Sequence, residues 1–232
     1  AATGSGRLGG AIVSAGCVGG LVTNCVFRGN VASRGAAVGL YQVTDAATDK
    51  CTLADCLFTN NVLRAVDRNS GGAAIWAAQG ARLIGCRIVE NAVEYVSEVP
   101  ITGGIVKLGN NSTVVGTTFR QTDYIAKYSV TDSTAASFGD GLVMSDSTVE
   151  LPDLSDGGVS VLFAGANSQF DACRFVVEKR GPSKFPFGFA GANPVFRNCL
   201  FDNRCRDYEA LSCWGDGIVS CENCTFYNAN PE

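Results

Sequence analysis

The chain contains 232 residues, of which 46% are hydrophobic and 17% are charged, and this composition excludes an intrinsically disordered protein. The formal net charge of −4 argues against nucleic acid as a partner, because phosphate binding requires a basic surface. The sequence has no histidine, which excludes Ser-His-Asp and Cys-His catalysis and every His-ligated metal site.

The first predicted element is a glycine-rich segment, Gly-Gly-Ala-Ile, at residues 9–12. Similar segments, with one or two glycines beside small and apolar residues, recur along the chain. They lie at residues 9–12, 35–38, 71–75, 103–106, 139–142, 157–159, 188–190 and 215–218. Recurrence of one short segment over the whole chain indicates a repeat architecture.

The second predicted element follows each glycine-rich segment and has the pattern small or polar residue, Cys or Thr, any residue, Phe or Ile. It is marked by Cys25, Cys56, Cys86, Thr117, Cys173, Cys199 and Cys224. The first four markers are spaced by 31, 30 and 31 residues, and the last three by 26 and 25. The interval of 56 residues between Thr117 and Cys173 accommodates two units, the second of which is degenerate.

Both elements are short, apolar at alternate positions and bounded by Gly, Asn, Asp or Ser, which is typical of β-strands. Units of this length with two or three strands predict an all-β fold, a right-handed parallel β-helix (β-solenoid) of about eight coils. Residues 1–232 are expected to form a single domain that is part of a longer protein or an assembly. Because both ends lack a predicted cap, neighbouring coils or chains are expected to cover them.

The alternation also predicts which side chains face inward. This set comprises Ile12, Phe27, Val38, Phe58, Ile75, Ile88, Ile105, Phe119, Phe175, Phe201 and Phe226. The asparagines that follow strands, at positions 30, 60, 61 and 91, are expected to adopt the left-handed conformation at bends. Residues 122–156 are expected to form the most irregular coil, since the repeat is weakest there.

Residues 9–12 (Gly-Gly-Ala-Ile) and 27–30 (Phe-Arg-Gly-Asn) form a pair of motifs, and residues 58–61 (Phe-Thr-Asn-Asn) repeat the second of them. This pairing resembles the repeats of the polymorphic outer-membrane-protein family and of related pectate-lyase-like β-helices. The resemblance covers about the first 110 residues. It implies a parallel β-helix in a cell-surface or secreted protein, often an adhesin, and it implies no particular activity.

The eleven cysteines are an odd number, so at least one thiol is expected to be free or to pair with another chain. The six that mark the repeat are expected to stack inward as a ladder of small buried side chains. The other five are better disulfide candidates: Cys17, Cys51, Cys205, Cys213 and Cys221. Among them, Cys205 and Cys213 are the first pair to test.

Zinc held by Cys205, Cys213, Cys221 and Cys224 is an alternative interpretation of the C-terminal cysteines. It is disfavoured because no second C-x-x-C motif is present. In addition, Cys221 and Cys224 are three residues apart on a predicted strand and should therefore face opposite sides.

Acidic residues matter because the commonest enzymes with this fold cleave polysaccharides, and two carboxylates about 5 to 9 Å apart suffice for hydrolysis. The candidate catalytic acids are Asp140, Asp153, Asp156 and Asp216. Aspartate beside glycine is also common in turns, where neither residue has a catalytic role. The favoured interpretation is that these residues form turns and that the chain has no catalytic residue.

Two further features concern sugars. Trp76 and Trp214 are candidate contacts for a bound sugar, although single aromatic residues more often pack within loops. The sequence Asn110-Asn111-Ser112-Thr113 contains two overlapping N-glycosylation sequons, whose acceptors are Asn110 and Asn111.

The favoured functional hypothesis is a non-catalytic structural or adhesive segment of an extracellular surface or filament protein. The alternative is a polysaccharide-degrading lyase or hydrolase that uses the aspartates named above. The expected partners are other protein chains, in a filament or surface array, or cell-surface glycans. No cofactor, metal or nucleic-acid partner is predicted, and no apolar run reaches the roughly 18 residues of a membrane span.

Overall fold

A computed structural model describes residues 9–16, 19–41, 50–96, 100–121, 134–152, 160–178, 187–189, 191–204, 211–213 and 217–228. All the regular secondary structure in these residues is β-strand. The strands are short because each turn of the chain changes direction at corners only a few residues apart.

The first three turns contribute four strands each: β1 (Ile12–Ala15), β2 (Leu21–Thr23), β3 (Val26–Arg28), β4 (Val31–Ala32), β5 (Val38–Tyr41), β6 (Thr52–Ala54), β7 (Leu57–Thr59), β8 (Val62–Ala65), β9 (Ile75–Ala77), β10 (Arg82–Ile84), β11 (Arg87–Val89) and β12 (Ala92–Tyr95). The later turns contribute three each: β13 (Val106–Leu108), β14 (Thr113–Val115), β15 (Thr118–Arg120), β16 (Thr134–Phe138), β17 (Val143–Ser145), β18 (Thr148–Pro152), β19 (Ser160–Ala164), β20 (Gln169–Asp171), β21 (Arg174–Glu178), β22 (Phe187–Phe189), β23 (Val195–Arg197), β24 (Leu200–Asn203), β25 (Ser212–Cys213), β26 (Ser220–Glu222) and β27 (Thr225–Asn228).

Equivalent strands of successive turns pair in parallel and build three long sheets. Within the described residues each long sheet has eight strands, in the orders β1-β5-β9-β13-β16-β19-β22-β25, β2-β6-β10-β14-β17-β20-β23-β26 and β3-β7-β11-β15-β18-β21-β24-β27. A short fourth sheet consists of β4, β8 and β12. The predicted fold class, an all-β parallel β-helix, is confirmed.

The core is built from rows of side chains that stack from turn to turn. In the third sheet Phe27 lies opposite Phe58 in the parallel register, and their ring centroids are 4.9 Å apart with planes 8° from parallel. Phe175 and Phe201 repeat this stack at 4.9 Å. The spacing equals the separation of neighbouring strands, so residues in register place their rings in direct contact.

Nine of the eleven side chains predicted to face inward are buried, and two differ. Ile12 is half-buried, and Phe226 has 49% of its surface exposed. Phe226 does lie in the inward row, since it stacks on Phe201 at 5.0 Å with planes 3° apart. It is exposed because β27 is an outer strand of its sheet and only one face of the ring is covered by Phe201.

The corner before the third sheet depends on a left-handed residue in every turn. This residue directly precedes the Cys, Thr or Ser of the ladder and has a φ between 49° and 60° at each of Asn24, Asp55, Gly85, Gly116, Asp146, Ala172, Asn198 and Asn223. Asn, Asp and Gly reach this conformation more easily than other residues do. The turn that it makes brings the next side chain back toward the interior.

The prediction that Asn30, Asn61 and Asn91 are left-handed is wrong. The left-handed residue at this second corner lies one position earlier, at Gly29, Asn60 and Glu90, with φ values of 69°, 53° and 52°. Only Asn60 among the predicted asparagines therefore has the expected conformation. The next residue is directed inward, where Asn61 and Asn91 are fully buried.

The ladder of cysteines continues through residues that are not cysteine. The Cys56 thiol donates to the carbonyl of Ala54, two residues earlier, at 3.2 Å. The Thr117 hydroxyl donates to the carbonyl of Val115 at 3.2 Å, and the Ser147 hydroxyl donates to that of Ser145 at 2.7 Å. A small donor that satisfies this carbonyl is therefore what the corner requires, and Thr or Ser can replace Cys.

The expected irregularity of residues 122–156 is wrong for the part that the structure describes. Residues 134–152 form β16, β17 and β18, which pair in register with both neighbouring turns, while residues 122–133 and 153–156 lie outside the described residues. The repeat was hard to recognise because Ser147 occupies the Cys position and Val149 the Phe position.

Replacing Ala172 with glycine is expected to stabilise the protein by about 0.5–1 kcal/mol. Ala172 is exposed and has a φ of 50°, a conformation that glycine adopts without strain. Urea unfolding of the two proteins measures the difference. The reverse change, Gly116→Ala, should destabilise the protein for the same reason, because the added Cβ has room but the φ of this position is 57°. An unaltered unfolding midpoint in both variants would refute this account of the corner.

Candidate functional site

The outer surface of the first sheet carries a row of side chains set by the parallel register. Gly39 on β5 lies opposite Trp76 on β9, Trp76 lies opposite Lys107 on β13, and Lys107 lies opposite Ser137 on β16. Because side chains alternate along a strand, Tyr41 shares the outer face with Gly39. One aromatic, one cationic and one hydroxyl side chain thus follow each other along the outside of the β-helix.

Tyr41 and Trp76 form a stacked pair on this surface. Their ring centroids are 4.5 Å apart and the planes make an angle of 29°. Gly39 leaves room for this arrangement, because a Cβ at that position would come within 3.0 Å of Cε2 of Tyr41. The Tyr41 hydroxyl and Trp76 Nε1 are buried and have no hydrogen-bond partner among the described residues. Unpaired buried polar atoms are costly and often mark functional positions.

Lys107 lies beside this pair, and its stem is packed on glycines. A Cβ on Gly103 would lie 2.8 Å from Cβ of Lys107, and one on Gly71 would lie 2.9 Å from its Cδ. Burial, together with the nearby Arg34 guanidinium, lowers the pKa of Lys107. Arg34 itself is 3.6 Å from the carboxylate of Asp67, measured from Nη2 to Oδ2.

An open groove of about 350 Å³ lies where these strands end. It is lined by Trp76, Ala77, Ala78, Lys107, Leu108, Gly109, Ser137, Phe138 and Gly139. The Lys107 stem runs toward Gly71 and Gly103, which precede the strands, and Ser137 is small. The outer positions that follow Trp76 therefore leave space for a ligand.

A second cation pair lies beyond the ends of these strands, whereas Lys107 and Arg34 lie before them. The Lys50 ammonium donates to the backbone carbonyl of Asn111, two residues beyond the lining residue Gly109. Burial and the neighbouring Arg82 guanidinium lower the pKa of Lys50. Both lysines are thus partly desolvated and close to an arginine, Lys107 before these strands and Lys50 beyond their ends.

Of the four candidate catalytic acids, the structure describes one. The backbone N–H of Asp140 donates to Oδ1 of Asn110 at 3.0 Å, and Oδ1 of Asp140 accepts a bond from the N–H of Ala166 at 2.7 Å. Asp140 is exposed and acts as one step of a ladder that joins the turns. The other three, Asp153, Asp156 and Asp216, lie outside the described residues, as does Trp214.

The cysteines of the ladder are free thiols, as expected. Cys56, Cys86, Cys173 and Cys199 are buried, whereas Cys25 and Cys224, in the first and last described turns, are half-buried. Their thiols donate to backbone carbonyls of their own corner and, in most turns, of the preceding turn. The hydrogen bond to Cys199 and burial both raise the pKa of Cys173. These side chains are structural.

The cysteines that were candidates for disulfides differ in their state. Cys51 is buried and disulfide-bonded. Cys205 lies outside the described residues, so its pairing with Cys213 stays a prediction. Cys213 lies on β25 and packs against the apolar core, and burial raises the pKa of its thiol to about 11.

The expectation that Cys221 and Cys224 face opposite sides is wrong. Asn223 between them is left-handed, with a φ of 52°, so the strand does not continue through it. Cys221 lies opposite the buried Phe196 in the register, and the Cys224 thiol donates to the Phe196 carbonyl at 3.6 Å. Even so, no three Cys, Asp or Glu side chains in the described ranges are grouped to hold a metal ion.

Raising the pH from about 9 to 11 is expected to destabilise the protein partly through Cys86. Burial raises the pKa of its thiol from 9.0 to about 11, so in this range the unfolded chain releases a proton that the folded chain retains. The free energy of unfolding therefore falls as the pH rises. Urea unfolding at pH 8 and at pH 10 measures this loss of stability. The loss should be smaller for Cys86→Ser than for the wild type, because serine does not titrate and still donates its hydrogen bond. Equal losses in the two proteins would contradict the raised pKa of Cys86.

The two predicted glycosylation acceptors lie at the edge of the groove. Asn110 and Asn111 are exposed in the turn that follows Gly109, and Asn111 is left-handed with a φ of 58°. Oδ1 of Asn110 accepts the bond from Asp140 described above. Both side chains are accessible at the surface of the β-helix.

No protein-family model matches the chain, and neither a curated protein nor a solved structure matches it. The described residues contain no helix that is long and apolar enough to cross a membrane.

Proposed function

We propose that this chain is a non-catalytic, extracellular structural and adhesive segment of a surface or filament protein. The observation that carries the proposal is the groove on the outer face of the first sheet, where the Tyr41–Trp76 stack adjoins Lys107. Aromatic rings beside a polar group are typical contacts of binding surfaces. The proposed partners are cell-surface glycans at this groove and other protein chains elsewhere.

The structural part of the proposal is supported by ladders that join one turn to the next. Asn61 Nδ2 donates to Oδ1 of Asn91 at 2.8 Å, and the N–H of Asn91 donates to Oε1 of Gln121 at 2.8 Å. In the core, the stacked phenylalanines and the cysteine ladder also join each turn to the next. A β-helix held by such contacts is a stiff scaffold on which an outer surface can be displayed.

An extracellular location is supported by the cysteine chemistry. Disulfides such as that of Cys51 form and persist in oxidising environments. The sequons of Asn110 and Asn111 are exposed, as glycosylation in a secreted protein would require. The motif pair at residues 9–12 and 27–30, similar to repeats of polymorphic outer-membrane proteins, is consistent with the same location and with membership of that family or of the pectate-lyase-like β-helices.

Association with other protein chains is supported by the outer strands of the described sheets. Leu21 on β2 and Val26 on β3 are 66% and 67% exposed, and Ile218 beside β26 is 76% exposed. These strands have unpaired edges among the described residues, and such edges accept further strands. Other chains of a filament or surface array would bury this apolar surface.

A retention assay on insoluble polysaccharides separates adhesion from catalysis. The intact chain is incubated with a panel of neutral and acidic polysaccharides, and both bound protein and soluble products are measured. The proposal expects retention on some of them with no release of reducing ends or of unsaturated sugars. Products released above the blank would favour the lyase or hydrolase, and absence of retention on every polysaccharide would refute glycan adhesion.

A further inference from the structure

The corner before β27 carries a pair of cysteines that no other described turn has. In each preceding turn, the inward residue three positions before the ladder residue is apolar. The residues at this position are Val22, Leu53, Leu83, Val114, Met144, Phe170 and Phe196. In the last described turn it is Cys221, which precedes the ladder residue Cys224 in the motif Cys-Glu-Asn-Cys.

The left-handed conformation of Asn223 brings these two thiols together. Its φ of 52° ends β26 and turns the chain, so that both cysteine side chains are directed toward Phe196. The Cys224 thiol donates to the carbonyl of Glu222 at 3.4 Å, and the thiols of Cys221 and Cys224 are hydrogen-bonded to each other. Cysteines in this spacing with contacting thiols can form a disulfide after a small rotation of their side chains.

Two other cysteines near this pair are placed less favourably for a bridge. Cys199 belongs to the same ladder as Cys224, one turn earlier, and its thiol is hydrogen-bonded to Cys173. Equivalent residues of neighbouring strands are about 4.8 Å apart, wider than the roughly 3.8 Å between the Cβ atoms of a disulfide. Cys213 lies on β25 in the first sheet, whereas Cys221 lies on β26 in the second. Cys224 is therefore the favoured partner of Cys221.

The surroundings of Cys221 allow oxidation and favour its product. Cys221 is exposed and Cys224 is half-buried, so a small molecule in the solvent can reach the first thiol. Partial burial, together with the neighbouring thiols of Cys224 and Cys199, raises the pKa of Cys221. A cysteine pair whose reduced form is stabilised as a thiolate is easily reduced. Because the thiolate of Cys221 is disfavoured, the disulfide is expected to be the more stable state of this pair.

We infer that Cys221 and Cys224 form an intrachain disulfide, which closes the corner between β26 and β27, by exchange with a low-molecular-weight disulfide such as glutathione disulfide. The Cys221 thiolate attacks one sulfur of that molecule, forms a mixed disulfide and releases one thiol. The Cys224 thiolate then attacks Sγ of Cys221 and releases the second thiol. The two protons of the protein thiols pass to the leaving thiolates, so the protein pair is oxidised and the external disulfide is reduced to two thiols.

The bridge costs the corner little. The hydrogen bonds that the Cys224 thiol donates to the carbonyls of Phe196 and Glu222 are lost, but a thiol is a weak donor. The inference does not depend on the adhesive function proposed above, because the disulfide can form whether or not the chain is retained on polysaccharides.

Peptide mapping of the intact chain in glutathione buffers tests the inference. The chain is equilibrated in mixtures that range from excess glutathione disulfide to excess glutathione, quenched with acid, alkylated with N-ethylmaleimide under denaturing conditions and digested with chymotrypsin. Cleavage after Trp214 and Phe226 releases residues 215–226, in which Cys221 and Cys224 are the only cysteines. Mass spectrometry of this peptide counts its alkyl labels and its glutathione adducts.

In excess glutathione disulfide the wild-type peptide is expected to carry no label and no glutathione, and in excess glutathione it should carry a label on both cysteines. Cys86, a buried ladder thiol, should take its label in every mixture and serves as the internal control. A label or a glutathione on each of the two cysteines in every mixture would overturn the inference, as would a bridge from Cys221 to a cysteine outside this peptide.

Two variants provide matched controls for the bridge. Cys221→Val introduces the residue that Val22 supplies at the equivalent position of the first turn, and Cys224→Ser introduces the residue that Ser147 supplies in the ladder. Thermal unfolding confirms that both variants are folded. In each of them the remaining thiol should take one label or one glutathione in every mixture. A peptide from either variant with neither label nor glutathione would show that the remaining cysteine bridges elsewhere and would contradict the assigned pair.

Discussion

Replacing Asn61 with alanine is expected to lower the free energy of unfolding by about 3–5 kcal/mol. The Asn61 side chain is fully buried, and its Nδ2 donates to the Phe27 carbonyl at 3.0 Å and to Oδ1 of Asn91 at 2.8 Å. Its Oδ1 accepts bonds from the N–H and the Nδ2 of Asn30 at 3.1 and 2.8 Å. Alanine would remove the side chain that these groups of the two neighbouring turns bond to, and each buried group left without a partner costs about 1–3 kcal/mol.

Urea unfolding measures this effect, and the neighbouring asparagine provides the control. Asn60 is exposed and left-handed, so Asn60→Gly preserves its conformation and should change the stability by less than about 0.5 kcal/mol. If Asn61→Ala were as mild as Asn60→Gly, the asparagine ladder would not be holding the turns together.

Replacing Phe201 with alanine is expected to cost about 3–5 kcal/mol, the usual range for removing a buried phenylalanine. Phe201 is fully buried and stacks between Phe175 at 4.9 Å and Phe226 at 5.0 Å. Its edge also contacts Phe196 at 5.4 Å. Because both neighbouring turns lose a stacked ring, the cavity cannot close by a shift of one side chain.

Phe226→Ala is the matched control for Phe201. Phe226 belongs to the same row but is 49% exposed and has one stacked neighbour. Its replacement should cost about 1 kcal/mol, since it removes less buried area and leaves no closed cavity. Equal unfolding midpoints for the two variants would show that the row does not stack as described.

The sequence was sufficient to predict the fold because the residues that each turn requires recur along the chain. Small residues at the corners, an inward Phe or Ile and a glycine before the first sheet recur at nearly constant spacing. The prediction was weakest where a different residue meets the same requirement. Ser147 donates to the same corner carbonyl as the cysteines do, and Val149 fills the Phe position, so a regular turn was expected to be irregular.

The backbone conformations at the corners could not be assigned correctly from residue preference alone. Asparagine is typical of left-handed positions, yet Asn61 and Asn91 lie one residue beyond the left-handed corner and are buried instead. Two adjacent asparagines, at positions 60 and 61, have different roles that are set by the direction of the chain. The same error of direction led to the expectation that Cys221 and Cys224 diverge.

The candidate site was predicted only in part. Trp76 was recognised as a possible sugar contact, but Tyr41 and Lys107 were not connected with it. The three residues are on different turns, and their juxtaposition follows from the parallel register, which the repeat phase alone defines only to within a few residues. Gly39 was a usable signal, since a glycine inside a strand indicates the close approach of another group.

Adhesion of beads that carry the intact chain to cultured cells is the most direct test of a β-helix that binds through its outer groove. Wild-type and Trp76→Phe beads are expected to adhere and Trp76→Ala beads to adhere much less, because Trp76 lines the groove and stacks on Tyr41. Wild-type adhesion no greater than that of uncoated beads, or adhesion of the Trp76→Ala beads equal to that of the wild type, would contradict the account.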